Sequence, residues 1–209
     1  MFGAGAHGTM RTLLDKATRL CRDRRGVAAI EFAFIAPVLL ILYFLTMEAS
    51  HAIETSKKVS RISSMVGDLI AQQTRVNPTT IEDILKIASS TLQPYNRSKP
   101  TINITAIQIS NDSKTDAVVS WSYQALPGGS YGAGPEKKGD KTTVPAALKT
   151  KGSFLIRVSS SLEYKPVVAW GGREHEAGLT SVFSRGITMG ETYYLKPRVT
   201  LTVECPDCS

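Results

Sequence analysis

Three regimes of apolar and polar spacing follow one another along this chain, and each predicts a different element. From Val27 to Met47 the sequence reads VAAIEFAFIAPVLLILYFLTM, with Glu31 its only charged residue. At about 1.5 Å per residue such a helix spans roughly 31 Å, the thickness of a bilayer's hydrocarbon core. Positions 32–45 are apolar on every face, whereas a core helix of a small domain would show a polar side. One transmembrane helix is therefore expected over 27–47.

The second regime is amphipathic. Val59, Ile62, Met65/Val66, Leu69 and Ile70 recur at helical spacing between Lys57, Arg61, Asp68 and Gln72. The helix is predicted to continue past the membrane as a stalk with a core-facing stripe, ending at Asn77-Pro78. Thr79 and Glu82 have the spacing of a capping box, which predicts a second helix over 80–92, closed by Pro94. The helical region as a whole is placed at 48–93.

The third regime alternates. Ile102, Ile104 and Ala106 predict one half-buried strand, and Ala117, Val119, Trp121 and Tyr123 a second, joined by a turn at Asn111-Asp112-Ser113. A Gly/Lys-rich stretch, 127–152, reads as a long exposed loop. Further strands are expected over 154–164, 167–170, 182–188 and 199–204. Helices first and strands afterwards indicate an α+β fold, with the long helix packed on an antiparallel sheet in a mainly β domain over 94–209.

Charge changes the picture only at one end. Of the formal net +7 on 209 residues, residues 1–26 supply +4: Arg11, Lys16, Arg19, Arg22, Arg24 and Arg25 against Asp15 and Asp23. The surplus sits beside the membrane segment, and no basic patch interleaved with aromatics points to nucleic acid. Basic residues on the N-terminal flank, facing Glu48, His51 and Glu54 on the other, put residues 1–26 in the cytoplasm and the domain across the membrane.

Glu31 is the anomaly of the span. A carboxylate at mid-bilayer costs about 2.5–3.5 kcal/mol on insertion scales, and less near an interface. A chain cut after Gly26 would carry a new α-amino group on Val27, and a neighbouring copy shifted along its axis would bring that cation to Glu31. A glutamate that snorkels or is protonated is the simpler alternative.

The string Arg24-Arg25-Gly26-Val27-Ala28-Ala29-Ile30-Glu31-Phe32 resembles the processing site of type IV pilins and pseudopilins. Taken with Pro37 inside the span and Glu48 after it, the segment is similar to TadE-like pseudopilins of the tight-adherence (Flp) pilus. Weaker similarity lies in Val144–Leu148, Leu162–Pro166, Tyr194–Arg198 and the Cys205/Cys208 ending. Phe32 stands where many of these proteins have Tyr. The resemblance implies cleavage between Gly26 and Val27 by a membrane-embedded prepilin peptidase, a kink of the membrane helix at Pro37, and a pilin-like periplasmic domain. It also implies an inner-membrane location, pilin or pseudopilin subunits and assembly proteins as partners, and a role in pilus biogenesis, adhesion and biofilm formation. A conventional signal peptide is the competing reading, with Ser50-His51-Ala52 as cleavage site and Ile53 as the mature N-terminus.

Cys21 falls in the leader. Cys205 and Cys208 form a C-x-x-C expected in an oxidising compartment, with a disulfide as the leading reading. A redox pair would want a following helix, and zinc would need two more ligands from a chain whose histidines are His7, His51 and His175. No catalytic motif is complete. Arg173-Glu174-His175-Glu176 lacks a second histidine four residues on, and the spacing from Gly129 to Gly134 leads into Pro135-Glu136 instead of Lys-Ser/Thr. The expectation is a structural or assembly protein without cofactor or metal. The alternative is a permanently anchored binding or adhesin module that keeps its first 26 residues.

Overall fold

The computed structural model describes residues 26–166 and 187–208. The chain divides into two compact units, Met1–Met47 and Glu48–Ser209. In the first, the described residues form the start of helix α1 (Val27–Ala71), which runs through Pro37 in α conformation. It contains an apolar window long enough to cross a membrane, none of it buried against protein. Phe32, Phe34, Val38, Leu40 and Leu42 are all more than half exposed, as lipid-facing side chains on every side of a helix would be.

In the second unit the same helix turns one face inward. Thr55, Val59, Ile62, Ser63, Val66, Gly67, Ile70 and Ala71 are buried, a run of three- and four-residue steps that confirms the predicted stripe as core-facing. Complete burial of Ile62, Val66 and Ile70 stabilises the fold by about 1.5–3 kcal/mol each. Helix α1 ends at Ala71, earlier than Asn77-Pro78, because the chain beyond it is held in extended form: the Val76 amide donates to the Glu204 carbonyl at 2.9 Å.

Helix α2 (Pro78–Ser90) starts from Asn77, whose Oδ1 accepts from the Thr80 amide at 2.8 Å. The capping box expected at Thr79 and Glu82 is not the cap. Pro78 lacks an amide hydrogen and fits the first helical position, so the cap falls on the residue before it. Glu82 is thereby free to accept from the Tyr123 hydroxyl at 2.9 Å.

Five antiparallel strands follow: β1 (Thr101–Ile109), β2 (Ala117–Ala125), β3 (Tyr131–Ala133), β4 (Phe154–Tyr164) and β5 (Ile187–Leu195), in the order β3-β2-β1-β4-β5. With α1 and α2 on one face, this is the α+β arrangement expected. One local feature differs. Ala106 pairs with Trp121 but Ile107 pairs with Val119, so Ser120 is an extra residue that bulges β2. The alternation changes face there. Ile102, Ile104, Ala106, Trp121 and Tyr123 join the helices in the main core, while Ile107, Ile109 and Ala117 form a second cluster on the opposite face with Val144 and Leu155.

Residues 127–152 are mostly exposed, yet they are tied to the sheet along the outer edge of β2. They contain β3 and a short 3-10 turn, Ala146–Leu148. Gly139 donates to the Val119 carbonyl at 2.8 Å, and Thr142 to that of Ala117 at 3.0 Å. This segment covers an edge that would otherwise expose unpaired backbone groups. The strands expected at 167–170 and over 182–186 lie outside the described residues. The strand expected over 199–204 does not form. Only Val203 of its apolar positions is buried, while Val199 and Leu201 face solvent.

Candidate processing segment and carboxy-terminal clasp

The processing residues lie at and just inside the start of α1. Gly26 precedes the helix, Val27 is its first residue, and a Cβ placed on Gly26 would meet nothing within 4 Å. The first amides of a helix have no intrahelical acceptor, so the N–H of the Gly26–Val27 peptide is not tied into the ladder. Glu31 and Phe32 follow one turn later, both exposed, and Glu31 shares a helix face with Val27 at i,i+4. Pro37 has no amide to offer the Ala33 carbonyl one turn earlier. The basic residues of the leader and Cys21 lie outside the described residues.

A second group of residues gathers where α1 ends. Trp121 Nε1 donates to the Val203 carbonyl at 2.7 Å, and Arg75 pairs with Glu204 at 3.3 Å. The Arg198 amide donates to the Ala71 carbonyl at 2.9 Å, and its guanidinium reaches Asp68 at 2.7 Å. Cys205 and Cys208 lie at disulfide distance, with Cα atoms 5.4 Å apart, both buried in the main core. The C-terminal segment thus clasps the end of the stalk to β2. The role of Trp121 was not evident from strand alternation. The available signal was an indole N–H on a core-facing position, which needs an acceptor.

Near Glu48 the stalk meets the far end of β4. Tyr164, fully buried, donates its hydroxyl to Glu48 and stacks on Tyr95 with ring centroids 5.4 Å apart. Burial pushes the Tyr164 phenol above its ordinary value, and the Glu48 carboxylate pushes it further. Tyr123 is pushed up to about 12, first by burial and then by its bond to Glu82. On the opposite face of the sheet, Arg157 pairs with Glu136 and donates to Thr142 at 3.0 Å. Burial raises the Glu136 carboxyl, but the bonds from Arg157 and Thr142 outweigh it and hold the group below its usual value.

No group of three or more His, Cys, Asp or Glu among the described residues is placed to hold a metal. Gly129, with φ of 84°, closes the β2–β3 hairpin, and a strand follows it instead of the helix a phosphate loop requires. His175 and its acidic neighbours lie outside the described residues.

Residues 26–63 match the model of the TadE-like protein family. The match starts at Gly26, runs through the whole apolar segment and continues into the stalk as far as Ser63. No curated protein and no solved structure matches the chain.

Proposed function

We propose that this chain, whose residues 26–63 form a TadE-like segment, is a minor pseudopilin or assembly component of a tight-adherence pilus. The observation that carries the reading is the coincidence of three features: the family match begins at Gly26, α1 begins at Val27, and the single carboxylate of the apolar run stands one turn further on. In this reading the basic leader stays on the cytoplasmic side of the inner membrane, and a prepilin peptidase cuts between Gly26 and Val27. A glycine before the cut leaves the peptide approachable, and Phe32 supplies the aromatic position of the motif.

Cleavage creates an amine on Val27. Within one chain the helix rises only about 6 Å from Val27 to Glu31, but in a neighbour displaced along its axis the two charges come to the same depth. There they neutralise each other in a medium that penalises either alone. Pro37 leaves one carbonyl of the span without its helical donor and so favours a bend at that level. The domain after Glu48 supplies contacts to other pilus subunits outside the membrane, and the clasp at Cys205 and Cys208 holds its last segment in place. The family match supports a structural or assembly role over an enzymatic one. Surface adhesion and biofilm formation follow as consequences of pilus assembly.

The test is the mass of the mature chain. Wild type should lose Met1–Gly26 in cells that contain the prepilin peptidase, and Gly26→Val should keep them. A wild-type chain that retains its leader would instead support a permanently anchored binding or adhesin module. A mature N-terminus at Ile53 would support conventional secretion.

A further inference from the structure

The first residue after the apolar run is bonded to the end of a strand, which fixes the level of that part of the domain. Glu48 accepts from the Tyr164 hydroxyl, so β4 ends where the chain leaves the hydrocarbon. A bilayer carries about 5–7 Å of headgroup layer on each side, and side chains gathered round this bond stand among lipid headgroups. β5 gives the same level independently. It runs alongside α1 in the same direction, with Leu195 over Gly67 and the Tyr193 hydroxyl 2.7 Å from Ser60 Oγ. From Tyr193 back to Ile187 the strand extends about 20 Å. From Ser60 back to Glu48 the helix runs about 18 Å. Ile187, which pairs with Tyr164, therefore reaches the level of Glu48, and it is 53% exposed.

This end of the domain is aromatic and cationic. Tyr95 stacks on Tyr164, and its hydroxyl accepts from the Lys165 amide at 2.8 Å. Arg97 donates to the Lys165 carbonyl at 3.3 Å, close enough to Tyr164 for its charge to oppose the rise of that phenol. Arg97 and Lys165 are both exposed, and among the described residues neither has a carboxylate partner. The acids nearby are engaged or turned away. Glu48 holds Tyr164, Glu54 pairs with Lys58 at 3.0 Å, and Glu163 alternates to the face of β4 opposite Tyr164. A guanidinium held by one backbone carbonyl keeps further donors, and phosphate is the anion that a bilayer supplies at this depth. Tyrosines beside it suit the same layer.

We propose that this end of the domain binds a glycerophospholipid of the membrane that α1 enters, with Arg97 and Lys165 holding its phosphate and Ile187 facing the acyl boundary. The contact seats the sheet on the bilayer and restricts pivoting of the stalk about Glu48. It rests on the apolar run as the membrane span and goes beyond the pilus reading. It does not depend on cleavage at Gly26, because Val27–Met47 stays on the domain either way.

The full chain with Cys21→Ser is reconstituted in vesicles of phosphatidylethanolamine and phosphatidylglycerol. A fluorophore is attached at Asn96→Cys or, as a distant control, at Leu201→Cys. Asn96 is exposed beside Arg97, whereas Leu201 follows Arg198, whose amide bonds Ala71 about 34 Å along α1 from Glu48. Lipid carrying a nitroxide near its headgroup should quench the label at 96 severalfold more than the label at 201. Arg97→Gln with Lys165→Gln should cut the quenching at 96 severalfold. Lys165→Gln alone should lower it in part at an unchanged melting temperature, which separates loss of the contact from loss of the fold. Equal quenching at 96 and 201 would overturn the proposal, since the end of the domain would then stand clear of lipid. Quenching at 96 that both variants leave unchanged would overturn it too, because the tether alone would account for it. A mature N-terminus at Ile53 removes the anchor and overturns it, whereas a retained leader counts against the pilus reading and leaves the lipid contact standing.

Discussion

The Tyr164 hydroxyl donates to a Glu48 carboxylate oxygen at 2.5 Å, joining residues 116 positions apart. Glu48 is the first residue after the apolar run, and Tyr164 is the last of β4. The bond therefore fastens the base of the stalk to the sheet. Tyr164→Phe keeps the ring that stacks on Tyr95 but leaves the carboxylate without this donor, and should lower stability by about 1–2 kcal/mol in denaturant melts. The phenol's pKa is raised in the folded state, so the stabilisation is complete below the ordinary tyrosine value of 10.0 and fades as pH rises through the higher folded value. An absorbance titration of tyrosinate should show Tyr164 and Tyr123 ionising above the ordinary tyrosine value of 10.0.

Gly67 marks the closest approach of stalk and sheet. A Cβ there would fall 2.4 Å from Leu195 Cδ1 and 3.4 Å from Val158 Cγ2. Leu195 can swing aside for one methyl, and alanine gains about 1 kcal/mol of helix propensity over glycine. Gly67→Ala should therefore be near neutral in thermal melts. Gly67→Leu has no room and should destabilise the domain by about 1–3 kcal/mol.

The clasp should respond to loss of its cysteine pair. Replacing both with Cys205→Ser and Cys208→Ser opens a four-residue loop, and in the chain-entropy estimate such a closure contributes about 2 kcal/mol. The wild-type domain prepared in air should lack free thiol at these positions by maleimide labelling and should melt higher than the double variant.

Glu136 sets an acid limb. Its carboxyl pKa is depressed in the folded state, so its contribution is complete above the ordinary value of 4.5 and is lost as pH falls through the folded value. Stability measured from pH 6 downward should fall in that acid range, and Glu136→Gln should flatten this part of the profile. At neutral pH that variant should cost about 1 kcal/mol, because it weakens a pair only partly shielded from solvent.

Much of this protein follows from local pattern. A run apolar on every face can only be satisfied by lipid or a large core, so residues 27–47 were legible without neighbours. The stalk stripe from Val59 to Ile70 was legible for a related reason: burial on one helix face imposes its period on the sequence. The Gly26–Glu31 motif needed no fold at all, since it is short and contiguous.

What depended on tertiary structure were choices between local options of similar energy. Ala117, Val119, Trp121 and Tyr123 read as one alternating face, but the bulge at Ser120 puts Ala117 in one core and Trp121 and Tyr123 in the other, and a bulge leaves no mark on apolar spacing. Residues 199–204 have the composition of a strand yet form none, because Arg198 is held at the end of α1 and Val203 at Trp121, and the chain between must turn. Asn77 took the cap from Thr79 because Pro78 fits the first helical position. Sequence alone determined which segments favour lipid, helix or sheet. Long-range hydrogen bonds and packing decided which faces met, since those partners lie far apart along the chain.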